Sequence, residues 1–172
     1  HGNLHGMPIR GRIDRVDRHR RTGVIRLLDY KTTDRPASAE ESHLRPASEE
    51  TPSYARVFFG EKEKRWTDLQ LPLYRLLLSD QGVFRVPLEL GYFNMPKATG
   101  DTGVSLWEGF TEALMDSARR CAEGVIEEIR QWKFWPPAED VLFDEFAPLF
   151  PAETVECLDA EAFLRFLQGK RR

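Results

Sequence analysis

Cysteine is scarce in this chain. Only Cys121 and Cys157 occur among its 172 residues, and they lie far apart. A disulfide framework or a compact zinc site needs more cysteines at closer spacing, and an iron–sulfur cluster needs about four thiolates. We therefore expect no iron–sulfur cluster, and a reducing, cytoplasmic setting.

Long apolar runs are also missing. No stretch approaches the ~18 residues that a membrane span needs, and no signal-peptide pattern opens the chain. Hydrophobic residues make up 41% and charged residues 31%, as in ordinary globular proteins. We expect one domain over residues 1–172, with no membrane partner. Because the first residue is His1 rather than Met, we expect this domain to be a fragment of a longer chain.

A net positive charge is absent, since the formal charge at pH 7 is −3. The charge is nevertheless uneven. Between Arg10 and Arg26, seven arginines accompany only two acids, Asp14 and Asp17. Clustered arginine is typical of a surface that neutralises nucleic-acid phosphates. A solvated hairpin would show the same pattern, so charge alone leaves both interpretations open.

Alternating apolar and polar residues predict an antiparallel hairpin near the N-terminus. One strand is predicted over 7–17 and a second over 24–31, joined by a polar turn that ends at Gly23. Because successive strand side chains point to opposite faces, Asp29 and Lys31 share one face of the second strand.

Residues 34–60 change in composition and are rich in Pro, Ser, Ala and Glu. We predict a flexible surface insertion there, irregular or lightly helical, with His43 exposed. The other predicted elements are a helix over 63–80 with a kink or late start at Pro72, strands over 88–96 and 104–107, a helix over 108–132, and a C-terminal tail over 136–172. The order β-β-α-β-β-α indicates an α/β (α+β) fold with a small mixed central sheet flanked by helices.

The hairpin carries residues that suit metal chemistry. Asp14 can reach the face of Asp29 and Lys31 from a neighbouring strand about 4.8 Å away. Two carboxylates at that distance repel one another unless a cation lies between them, and hard oxygen ligands favour Mg²⁺ or Mn²⁺. A lysine beside such an ion suits phosphodiester hydrolysis. A surface Asp–Lys pair would look the same, so spacing alone does not decide between a metal site and an ion pair.

Three ordered motifs add a family resemblance. They are G-R-I-D-R-V-D around Asp14, L-L-D-Y-K-T-T around Asp29, and W-T-D-L-Q-L-P-L-Y ending at Tyr74. Together they resemble the PD-(D/E)XK nuclease superfamily. Within it the chain is most similar to the RecB-like exonuclease branch and to the C-terminal nuclease domains of AddB-type helicase–nuclease subunits. The resemblance implies a restriction-endonuclease-like core.

The resemblance also implies roles for individual residues. Metal ligands would be Asp14, Asp29 and the backbone carbonyl of Tyr30, and Lys31 would be the catalytic lysine. Gln70 would orient substrate or water, and Tyr74 would contact the DNA backbone. The sequence agrees that Gln70 and Tyr74, four residues apart, share a helix stripe. Further DNA contacts are assigned to Arg12 and Arg15 of the first motif.

The function that follows is a Mg²⁺- or Mn²⁺-dependent deoxyribonuclease. It would digest single-stranded DNA ends supplied by a helicase subunit or domain, in double-strand break repair and recombination. The first core helix of the family, which often supplies a further metal ligand, is apparently missing, so we expect this fragment to be weakly active or inactive. The alternative is a non-catalytic DNA-binding or scaffold module that retains the fold.

Overall fold

The computed structural model describes residues 1–80 and 88–133, together with the single positions 159, 161 and 165. The chain divides into two compact units, His1–Ile126 and Glu127–Arg172. The predicted tail over 136–172 lies outside the described residues, apart from the three single positions. The strands are β1 (Gly2–Leu4), β2 (Met7–Ile9), β3 (Arg15–Arg18), β4 (Ile25–Lys31), β5 (Leu44–Pro46), β6 (Arg56–Phe59), β7 (Lys62–Trp66), β8 (Leu88–Asn94) and β9 (Gly103–Leu106), and the α-helices are α1 (Ala39–His43), α2 (Gln70–Asp80) and α3 (Glu112–Arg130).

The central sheet is mixed and has the strand order β3-β4-β8-β9. The pairs β3–β4 and β8–β9 are antiparallel, whereas β4 and β8 run parallel. Along the chain, these strands and the two longer helices follow the order β3-β4-α2-β8-β9-α3. The predicted fold class, with its β-β-α-β-β-α order and small mixed sheet, is therefore confirmed.

The main core lies on one face of this sheet. Leu27 and Leu90 are neighbours across the parallel pair β4–β8 and are almost completely buried. They belong to one cluster with Leu71 of α2 and with Leu114 and Cys121 of α3. Each fully buried leucine contributes about 1.5–3 kcal/mol of hydrophobic stabilisation, so this cluster fixes the helices against the face that carries Asp29.

The predicted first strand over 7–17 is wrong in extent. Its N-terminal part forms β2, which pairs with β1 through a tight turn at His5 and Gly6, both with positive φ. Residues 10–14 are not in a strand, and regular pairing with β4 begins only at Arg15. Asp14 therefore lies at a bend just before β3 rather than within a strand.

The first residues of the predicted helix over 63–80 form a strand instead. Lys62–Trp66 forms β7, and α2 begins only at Gln70. The residues of β7 favour helices by a few tenths of a kcal/mol each, but pairing with β5 and β6 outweighs this preference. The late start of α2 agrees with Pro72, which the first turn of a helix tolerates.

The segment 34–60, predicted as a flexible insertion, contains α1, β5, a 3₁₀ helix over Ser53–Ala55 and β6. Strands β5 and β6 flank β7 in a second, three-stranded antiparallel sheet. His43, expected to be exposed, is fully buried at the end of α1. The turn between β6 and β7 begins at Gly60, whose φ of +61° suits the first position of a two-residue hairpin loop.

Helix α3 begins later than predicted. Gly109 has a φ of +75°, outside the helical region, and the Thr111 hydroxyl caps the helix by accepting the Leu114 N–H at 3.2 Å. Two apolar residues of this helix, Val125 and Ile129, are 40% exposed. Within the described residues, no helix combines the length and apolarity that crossing a bilayer requires.

Candidate active site

The carboxyl end of β4 carries a buried acid. Asp29 is only 5% exposed, although it sits one strand away from the sheet edge. Lys31 lies two residues further on the same face, and its Nζ atom is 2.9 Å from Asp29 Oδ2. A buried carboxylate is costly unless it is paired, so this contact accounts for the burial of Asp29. The predicted shared face of Asp29 and Lys31 is confirmed.

Helix α2 brings a second polar partner to this acid. Gln70 donates from Nε2 to Asp29 Oδ1 at 3.0 Å and accepts at Oε1 from Lys31 Nζ at 3.4 Å. Its Nε2 also lies 3.1 Å from the hydroxyl of Tyr74, one turn along the helix. The predicted stripe of Gln70 and Tyr74 is thereby confirmed. Asp68 accepts the Gln70 N–H at 2.7 Å and fixes the helix start at this position.

Asp14 reaches the same corner from outside β3. Its Oδ2 atom accepts the backbone N–H of Tyr30 at 3.1 Å. Continuing the pairing of Arg15 with Leu28 by one residue sets Asp14 opposite Asp29. In a strand the N–H and C=O of one residue point to the same side, so the Tyr30 carbonyl also lies on the Asp14 side. Asp14 and the Tyr30 carbonyl thus lie at the open end of the hairpin, where the strand register sets Asp14 opposite Asp29.

A model of the PD-(D/E)XK nuclease superfamily matches residues 2–141 of the chain. The chain belongs to this superfamily. No curated protein and no solved structure matches it. Membership makes this a nuclease-type domain, and DNA is the substrate that the superfamily implies. The chain carries a D-x-K sequence at Asp29-Tyr30-Lys31, and Asp14 upstream follows Ile13 rather than a proline.

The oxygen donors of this nuclease domain fit a hard divalent cation. Carboxylate and carbonyl oxygens are the ligands that Mg²⁺ and Mn²⁺ prefer. Within the described residues, no group of three or more His, Cys, Asp or Glu side chains is placed to hold a metal. The oxygen donors that could hold such an ion are the carboxylates of Asp14 and Asp29 and the Tyr30 carbonyl. Mg²⁺ usually takes only one or two carboxylates and keeps several waters or binds substrate phosphates.

Behind the site, Tyr92 of β8 supports Lys31. It pairs with Asp29 in the parallel register, and the Lys31 Nζ atom lies 4.6 Å from the centre of its ring. Burial raises the pKa of Tyr92 to about 12, so the phenol stays protonated and neutral. A cation over an aromatic face is attracted by the ring, and this contact restricts where the ammonium group can sit.

His43 is a supporting residue that the sequence did not reveal. Its Nδ1 atom lies 2.9 Å from the Ala39 carbonyl oxygen and 3.2 Å from the Tyr92 hydroxyl, and its Nε2 accepts the Leu71 N–H at 3.3 Å. Burial lowers the pKa of His43, which keeps the ring neutral. A neutral ring with the proton on Nδ1 can donate to the Ala39 carbonyl while Nε2 accepts the Leu71 N–H, and the Tyr92 hydroxyl lies beside Nδ1. His43 therefore links α1, β8 and the first turn of α2.

Of the two predicted DNA-binding arginines, Arg15 is not brought to the carboxylates. Arg15 points to the other face of the sheet, where its guanidinium pairs with Asp17 at 2.9 Å and covers the Phe93 ring at 5.0 Å. Asp17 is thus the salt-bridge partner of Arg15. Arg12 is exposed on the irregular segment before Asp14. That segment runs close to α2, because a Cβ on Gly11 would lie 3.2 Å from the Tyr74 ring.

Proposed function

We propose that the chain is a divalent-metal-dependent deoxyribonuclease domain that hydrolyses phosphodiester bonds in an exonuclease mode. The observation that carries this proposal is the buried carboxylate of Asp29, whose two oxygens contact Lys31 and Gln70. A structural ion pair needs only one of these partners. A carboxylate held from two sides beside a second acid is the arrangement of an oriented metal ligand.

In this proposal, Asp14, Asp29 and the Tyr30 carbonyl hold Mg²⁺ or Mn²⁺. Once bound, the ion supplies a Lewis acid for the phosphate and lowers the pKa of a coordinated water. Lys31 places its amine beside the phosphate that is cleaved, where it stabilises the negative charge that builds on the phosphate oxygens. Gln70 contacts both Asp29 and Lys31 and so orients them. The Tyr74 hydroxyl, next to Gln70 Nε2, contacts the DNA backbone.

We infer further that the domain belongs to the RecB-like exonuclease branch and resembles AddB-type subunits most closely. The support is the order of the three motifs between Gly11 and Tyr74. In that setting it acts in the cytoplasm on single-stranded ends that a helicase subunit or domain has unwound, during break repair and recombination. The competing function is a non-catalytic DNA-binding or scaffold module, against which the complete set of Asp14, Asp29, Lys31 and Gln70 argues.

Cleavage of internally labelled single-stranded DNA tests the proposal, with Mg²⁺, Mn²⁺ or EDTA present. Asp29→Asn and Lys31→Ala should each abolish the metal-dependent products. Asp17→Asn is the matched control, because this acid lies on the neighbouring strand but faces Arg15 on the other side of the sheet. Mn²⁺ binding, measured by electron paramagnetic resonance, should fall in Asp14→Asn and Asp29→Asn and persist in Asp17→Asn.

Metal-dependent cleavage that survives both Asp29→Asn and Lys31→Ala would reject the assigned site. A full-length protein that contains this domain and binds DNA and Mn²⁺ but leaves no products would support the scaffold function instead. The polarity of digestion follows from the same assay with the label placed at the 5′ end in one substrate and at the 3′ end in another.

A further inference from the structure

A row of arginines crosses the second sheet, whose strands carry none of the residues assigned to the nuclease site. Arg45 of β5 and Arg56 of β6 both lie directly opposite Arg65 of the central strand β7. Directly opposite residues project to the same face, with Cβ atoms about 4.5–5.5 Å apart. Like charges in such positions destabilise a sheet, so the row requires an explanation beyond folding.

Among the described residues, only one of the three arginines finds a partner that neutralises it. The Arg56 guanidinium pairs with Glu63 at 3.0 Å and donates to backbone carbonyls, including that of Thr51. Arg45 and Arg65 are exposed, and neither has an ion pair or hydrogen bond within residues 1–80 and 88–133. The sheet therefore presents two free guanidinium groups side by side, and the glutamate on the same face is already occupied.

The same face also carries an exposed aromatic ring. Phe58 lies two residues after Arg56 on β6, hence on the same side of the strand, and is 70% exposed. Its directly opposite neighbour is Glu63, so the ring stands at one end of the arginine row. Exposed phenylalanine beside free arginines combines the two contacts that proteins use for unpaired nucleotides, base stacking and phosphate pairing.

We propose that this face, made of Arg45, Arg65 and Phe58, binds single-stranded nucleic acid. Arg45 and Arg65 contact consecutive stretches of the sugar-phosphate backbone, and Phe58 stacks on a base. A duplex is excluded as the favoured ligand, because its bases already stack on one another and offer no free face to Phe58. The nearby charges fit an anionic ligand, since three arginines share this face with one glutamate.

This face, called the platform below, also lies within reach of the nuclease site. Arg65 precedes Gln70 by five residues, so their Cα atoms are at most about 18 Å apart. At ~3.4 Å per phosphate in a stacked strand, that distance corresponds to on the order of five nucleotides. This part of the inference rests on the proposed function: the platform would hold the strand that the site cuts.

Fluorescence anisotropy with labelled oligothymidylate in EDTA tests the platform without cleavage. The double variant Arg45→Gln/Arg65→Gln should bind about tenfold more weakly, and the slope of log K against log salt should fall by about 1.4, at ~0.7 per neutralised phosphate. Phe58→Ala should weaken binding about tenfold, whereas Phe58→Tyr should retain it. Arg119→Gln/Arg120→Gln on α3 and Val104→Ala are the matched controls, because these residues are exposed elsewhere.

Circular dichroism of each variant confirms that the fold is retained. Wild-type affinity and salt slope in the double arginine variant would overturn the inference, as would equal losses in the α3 control. The two proposals can fail separately. Asp29→Asn abolishes cleavage but should bind oligothymidylate normally in EDTA, whereas the platform variants lose binding even if Asp29 and Lys31 prove dispensable for cleavage.

Discussion

Gln70, the first residue of α2, donates a hydrogen bond of 3.0 Å to Oδ1 of Asp29 on β4. The other oxygen of the same carboxylate lies 2.9 Å from Lys31 Nζ. One partner is neutral and the other charged, so they contribute differently. Gln70 fixes the orientation of the carboxylate, whereas Lys31 also neutralises it. Substitutions at these two positions should therefore separate orientation from charge.

Gln70→Ala should lower the rate of metal-dependent DNA cleavage by about 10–100-fold, the range seen when a group that orients a metal ligand is lost. Gln70→Glu should not restore the rate, because a second carboxylate beside Asp29 repels it and lacks the amide donor. Cleavage kinetics at saturating Mg²⁺ provide the measurement. Asp116→Asn, an exposed position on α3, serves as control. A wild-type rate in Gln70→Ala would remove Gln70 from the site.

Lys31→Met should destabilise the metal-free protein, because Asp29 keeps its burial and loses its counterion. Breaking a buried pair costs 3–5 kcal/mol, and the partial exposure of Lys31 reduces the expected loss to about 2 kcal/mol. Thermal unfolding with EDTA measures this loss, and Mn²⁺ should recover part of it by binding Asp29. Lys97→Met is the control, since its pair with Asp34 is at the surface. Equal Tm changes in both variants would contradict the prediction.

The sequence predicted those parts of the site that depend on local periodicity. The shared face of Asp29 and Lys31 follows from strand alternation, and the contact of Gln70 with Tyr74 follows from helical spacing. Both are confirmed by direct contacts. The roles of these residues in metal binding and catalysis remain predictions, because they depend on a cation and a DNA strand as partners.

The parts that were missed depend on long-range pairing. The run over Lys62–Trp66 has strong helix formers, and only its partners β5 and β6 make it a strand. Gly60 before it was the available signal for a hairpin. His43 gave none, because its contacts to Leu71 and Tyr92 join residues 28 and 49 positions away in the sequence.

Gly91→Ala should destabilise the central sheet. A Cβ at this position would lie 2.4 Å from the Ser105 carbonyl oxygen and 2.9 Å from Leu106 Cα, both backbone atoms of β9. Strand β9 must move away, at a cost of about 1–3 kcal/mol or more. Urea unfolding measures the change. Gly100→Ala, where a Cβ meets open space, should leave the unfolding midpoint unchanged. A similar stability for both variants would show that β9 adapts without loss.

His43 should make the stability of the protein depend on pH. Burial lowers the pKa of His43, and the charge of Lys31 adds to this effect. Asp68, the Ala39 carbonyl and Asp29 oppose it by raising the pKa. A histidine whose folded pKa is lowered adds stability above the unfolded value of about 6.5, and this stability is lost progressively as the pH falls below it. Protonation also removes the acceptor at Nε2 for the Leu71 N–H, in the first turn of α2.

His43→Gln should therefore flatten the pH dependence of unfolding. The free energy of unfolding of the wild type, from urea titrations, should fall between about pH 7.5 and pH 5, on either side of the ~6.5 of an unfolded histidine. In His43→Gln the protein should be less stable at the higher pH and lose less on acidification, because the uncharged amide has no proton to take up. His19→Gln removes an exposed histidine from the β3–β4 turn and should behave as the wild type. If His19→Gln rather than His43→Gln flattens the profile, the buried ring is not the group that responds to acid.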